Sequence, residues 1–123
     1  MSADEIRLVI PAEEDFRPIA HLVTGGLASR NDGTFEALED LQVAVEAVLA
    51  LRDDEGDLTV VLSAAEGVLR ASLGPFAADT LHPDDAQGRG LDLERVLETV
   101  CDRHAVEQRE DGAWLELTKQ IGA

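Results

Sequence analysis

The chain has 123 residues, 45% of them hydrophobic and 29% charged, and its 26 acidic residues against 10 basic ones give a formal net charge of -16. That length fits one domain, and that apolar fraction supports a real core, which excludes a disordered acidic chain. The acid is spread from Asp4 to Glu116, so it repels phosphate backbones and anionic lipid; nucleic-acid and membrane binding are not expected, whereas a partner with a basic face is.

Residues 5–10 set Ile6, Leu8 and Ile10 against Glu5 and Arg7, the period of a half-buried strand, and Pro11 ends it. Asp15 can cap a first helix carrying Phe16, Ile19, Leu22, Val23 and Leu27, which Asn31, Asp32 and Gly33 stop. Gly25 and Gly26 inside it cost about 1 kcal/mol each against alanine, which close packing of another backbone would justify. Thr34 is a good N-cap for a second helix with Phe35, Leu38, Leu41, Val45, Val48 and Leu49 on its apolar face. Residues 53–57 read as a turn. Strands over 58–63 and 68–73 follow, joined by a short hairpin in which Gly67 supplies a positive φ. Residues 74–88 hold two prolines and no period, so they read as a loop long enough to be a lid or a docking surface. A third helix over 91–100 and two strands over 104–109 and 113–119, turning at Asp111 and Gly112, complete the chain. The predicted architecture is one α+β domain, a two-layer sandwich in which a mixed β-sheet is covered on one face by three helices.

Several segments together resemble the RsbW-type anti-sigma-factor serine kinases, whose fold is that of histidine kinases, gyrase and the ninety-kilodalton heat-shock chaperones. Phe16, Ile19, Ala20, Leu22 and Val23, followed by residues 26–30, are similar to that family's first helix. Residues 39–47 (EDLQVAVEA) resemble its second helix leading into the asparagine box. Gly88, Arg89, Gly90, Leu91 and Leu93 resemble the glycine motif that ends the ATP lid, and residues 114–119 (WLELTK) the last strand. The match runs in order along almost the whole chain.

The resemblance implies a nucleotide site. Glu46 takes the place of the glutamate that orients or deprotonates the attacking group. The Mg²⁺-binding asparagine one turn later falls on Ala50, whose methyl cannot ligate a cation that demands oxygen. Ser72 stands where the family has its adenine-binding aspartate, Gly74 keeps the first glycine of that motif, and Phe76 replaces the second. Gly88, Arg89 and Gly90, at the start of the third helix, could still receive an anion through backbone N–H groups and the helix dipole. The site residues implied are therefore Glu46 as a vestigial general base, and Gly74, Gly88, Arg89 and Gly90 as a vestigial nucleotide cradle. No cofactor is expected, and ATP with Mg²⁺ only if the enzyme reading holds.

His21, His82 and His104 are far apart in the chain, so a metal site would need the fold to gather them. Cys101 is the only cysteine, which leaves no disulfide framework, and it has no local histidine partner for catalysis. No stretch approaches a membrane span and the first residues carry no leader pattern, so a cytoplasmic protein is expected. Trp114 reads as core.

Three functions follow. The first is a regulatory protein-binding domain without ATP hydrolysis that acts on a sigma factor or an anti-sigma antagonist, forming a homodimer through its first helices. The second is an active serine kinase and anti-sigma factor in which Asp53, Asp54 or Asp79 takes the missing roles. The third is an unrelated α/β domain with a pocket under the 74–88 loop; an alternating parallel sheet would favour it.

Overall fold

A computed structural model describes residues 4–51, 56–77 and 89–122, with side chains of the last segment from 93 onward. In chain order the elements are β1 (Asp4–Pro11), a 3-10 turn (Glu14–Phe16), α1 (Arg17–Arg30), α2 (Phe35–Leu49), β2 (Asp57–Ala65), β3 (Val68–Phe76), α3 (Arg89–Val100), β4 (Arg103–Arg109) and β5 (Gly112–Gln120). This is the predicted order, and the α+β two-layer class holds.

The sheet order is β1-β2-β3-β5-β4, with every neighbouring pair antiparallel. The expectation of a mixed sheet is corrected on this point. After α3 the chain enters β4 running parallel to β3, but β5 inserts between the two, so no parallel pair forms. The same topology removes the alternating parallel fold.

Cross-strand register explains the layering. Ile6, Leu62, Ala71 and Leu117 form one row across the sheet, and Leu8, Val60, Leu73 and Leu115 the next. Because side chains alternate along a strand, both rows face one side, where they join Ala20, Leu27 and Ala28 of α1, Leu41, Val45 and Val48 of α2, and Leu93 and Leu97 of α3 in a single core. Arg70, Ser72 and Glu116 point to the other face, which no helix of the described residues covers.

Local signals act largely as read. Thr34 Oγ1 accepts the N–H of Ala37 at 3.2 Å, capping α2. Glu66 and Gly67, with φ of 54° and 77°, make the two-residue turn whose twist matches the flanking strands. Asp15 does not cap α1: it lies in the 3-10 turn, and α1 starts at Arg17 without a side-chain cap. Pro18 sets this boundary, since its fixed φ and missing N–H suit a first turn. Phe35 was placed on the apolar face of α2 but is 73% exposed, because it is the first residue of the helix and stands clear of the sheet. Among the described residues no helix is long and apolar enough to cross a membrane.

Three glycines separate packing from conformation. A Cβ at Gly25 would lie 3.3 Å from Gln42 Nε2, while one at Gly26 would meet nothing within 4 Å, so neither packs on another backbone within this chain. Gly74 lies inside β3, not in a loop, and a Cβ there would come 2.6 Å from Trp114 Cδ2. Gly74→Ala is expected to destabilise by about 1–3 kcal/mol through overpacking, whereas Gly26→Ala should stabilise by about 0.5–1 kcal/mol. Urea denaturation of both variants checks the pair; equal effects would refute this reading of the two sites.

Candidate functional site

Helix α2 lies between α1 and α3, and its outward side carries Gln42, Val43, Glu46 and Ala47 past them. His21 and Arg17, four residues apart on α1, share the helix face that looks at Glu46. Glu46 Oε2 lies 2.7 Å from His21 Nε2, and Glu46 Oε1 accepts from Arg17 Nη1 at 3.5 Å. A carboxylate only accepts, so Nε2 carries the hydrogen of this contact, while Nδ1 is buried without a partner. Gln42 donates to the His21 carbonyl at 3.4 Å, in the space left by Gly25. His21, Gln42 and Glu46 line an open groove of about 700 Å³ with Val43, Ala47, Val96 and Glu39.

The other described residues implied by the resemblance lie on α2, β3 and α3. Ala50 is the exposed C-cap of α2. Residues 47–51 are Ala, Val, Leu, Ala and Leu, so no side chain in the turn after Glu46 offers an oxygen ligand, and this donor set does not fit Mg²⁺. Ser72, between buried Ala71 and Leu73, and Gly74, beneath Trp114, lie on the sheet face opposite the helices. Phe76 is buried at the end of β3. Arg89 and Gly90 form the first turn of α3. Gly88 lies outside the described residues, as do Asp53, Asp54, Asp79 and His82.

No family model matches the chain. It is 31% identical to the serine-protein kinase RsbW of Bacillus velezensis over 119 residues, covering 90% of this chain and 69% of that protein. The chain belongs to the RsbW serine-protein kinase family. The serine-protein kinase RsbW of Bacillus subtilis is 28% identical over 144 aligned positions, covering 98% of this chain and 88% of that one. That of Listeria monocytogenes strain HCC23 is 33% identical over 64 residues, 46% and 41% of the two chains.

Trp114 and Arg109 meet on the sheet face away from the helices. Trp114 is buried, but on the open face of the sheet: its Nε1 donates to Asp111 Oδ1 at 2.8 Å, and the Arg109 guanidinium stacks 4.3 Å from the ring centroid. Arg109 also pairs with Glu107 and Glu116 at 3.2 and 3.5 Å. A hydrogen bond with Glu107, then partial burial, raises the Glu116 carboxyl above the usual range, while Arg109 holds Glu107 below it. The arrangement braces β4 against β5. The partners of Glu46 were not legible beforehand, because His21 and Arg17 lie 25 and 29 residues away, although their four-residue spacing on one helix was visible.

Cys101 is buried, and its thiol is raised from 9.0 to about 11, chiefly by burial, with Lys119 opposing and Asp102 and Asp40 adding. A two-unit rise leaves about 100-fold less thiolate near neutrality. Iodoacetamide at pH 8 should therefore modify the native chain about 100-fold more slowly than the unfolded chain; equal rates would show an accessible thiol. The sign for stability follows: the unfolded thiol ionises near 9.0 and the folded one near 11, so this contribution is complete below that window and lost as pH rises through it.

Proposed function

We propose that this RsbW-family chain is a regulatory protein-binding domain that acts on a sigma factor or an anti-sigma antagonist without hydrolysing ATP. The observation that carries the reading is the aliphatic run 47–51 directly after Glu46. Phosphoryl transfer rests on metal ions and positioning more than on any single base. Glu46, followed by the aliphatic residues 47–51 and already engaged by His21 and Arg17, is a poor base for that chemistry. The groove beside it combines carboxylates with Val43, Ala47 and Val96, a surface suited to a basic partner segment with an apolar stripe. Ile19, Leu22 and Gly26 share one outward face of α1, with Leu22 76% exposed, which favours a homodimer through close contact of first helices. The expected location is the cytoplasm, and no cofactor is required.

The second reading, an active ATP-dependent serine-protein kinase, is favoured by the name of the relative at 31% identity and would need oxygen ligands from Asp53, Asp54 or Asp79. Calorimetric titration of ATP and ADP, with and without Mg²⁺, separates the two. The regulatory reading expects no dissociation constant tighter than about 1 mM. Micromolar, Mg²⁺-dependent binding, or phosphate transfer to an antagonist protein, would overturn it.

A further inference from the structure

A second cluster stands where α3 meets β4. Glu94 and Glu98, four residues apart, share one face of α3, and His104, in register with Leu117, projects from the helix-covered side of β4. One carboxylate oxygen from each glutamate and one imidazole nitrogen all lie within 4.8 Å of one another. We propose that Glu94, Glu98 and His104 bind a divalent first-row transition ion of the zinc class.

The donor set selects the ion. One imidazole nitrogen and two carboxylate oxygens suit zinc and its neighbours, whereas Mg²⁺ and Ca²⁺ take oxygen alone. Three protein ligands leave a fourth position for water or a partner's side chain. Bonds of about 2.0–2.2 Å would draw the three atoms closer than they stand, a shift within reach of glutamate rotamers.

Electrostatics points the same way. Among the described residues none of the three side chains has a hydrogen bond or ion pair. Two carboxylates and an imidazole therefore converge without a partner among the described residues, in a chain of net charge -16 whose field attracts cations.

The scaffold is rigid where the ligands attach. Leu93 and Leu97 anchor α3 in the core. Cys101 N–H donates to Leu97 O at 2.8 Å and Asp102 N–H to Thr118 O at 3.0 Å, while Asp102 Oδ2 accepts from Gln120 N–H at 2.6 Å. The link from α3 to β4 is pinned to β5, so His104 is held opposite the two glutamates before any ion arrives. This site is independent of whether the chain binds nucleotide.

The test is calorimetric titration of zinc chloride into the full, tag-free chain after chelator treatment, at about 0.1 M salt so that the diffuse acidic surface is screened. The expected result is saturable binding of one ion per chain, weakened at least about 10-fold by Glu98→Gln and by His104→Gln and unchanged by His21→Gln. Zinc should also raise the melting temperature of the native chain and not that of His104→Gln, with circular dichroism establishing that the variants fold. Absence of saturable binding below 1 mM, equal affinity for Ca²⁺, or affinity unchanged in His104→Gln would overturn the site.

Discussion

The burial of α2 against the sheet is the constraint on which the rest of the molecule depends. Leu41, Ala44, Val45 and Val48 are wholly buried and Leu49 and Leu51 nearly so. Each buried valine or leucine contributes about 1.5–3 kcal/mol, and an oxygen donor in such a position would have to recover its desolvation from a ligand. The last turn of α2 therefore serves the core. Ala50 is different: it is exposed, so packing does not forbid an oxygen ligand there. Its absence is a property of this sequence and not a requirement of the fold.

With α2 fixed, its neighbours define the two sides of the helical layer. On one side α1 brings Arg17 and His21 to Glu46, and the resulting groove is closed across α2 by Val96 of α3. On the other, the insertion of β5 between β3 and β4 pushes β4 to the sheet edge, where all its side chains except His104 are exposed. Arg103, Glu107 and Arg109 along that strand discourage pairing with another chain's edge. His104, Val106 and Gln108 face the helical side, and of the three only His104 is half-buried, near α3. The same sheet order thus protects an edge and sets a histidine opposite two glutamates.

Local chemistry made most elements legible. Period-two alternation in 5–10, the Thr34 cap and the Glu66–Gly67 turn are each decided within a few residues, and they formed where expected. Features that depend on distant neighbours were not legible. Gly74 looked like the start of a loop, but its requirement comes from Trp114, forty positions on. Parallel or antiparallel pairing could not be read from β3 and β4 separately, since the deciding strand is the last one. Glu94 and Glu98 announce a shared helix face by spacing alone, yet only the sheet order places His104 beside them. Asp15 failed as a cap because Pro18 imposed its own boundary.

Charge gives the candidate surfaces a common sign. Arg17, Arg30, Arg109 and Lys119 are paired with Glu46, Asp4, Glu107 and Asp40, so part of the small basic complement is held by neighbouring carboxylates. A nucleoside triphosphate must approach such a surface against its field, whereas a basic protein segment or a metal ion approaches along it. With residues 47–51 aliphatic, that field favours cations and basic partners.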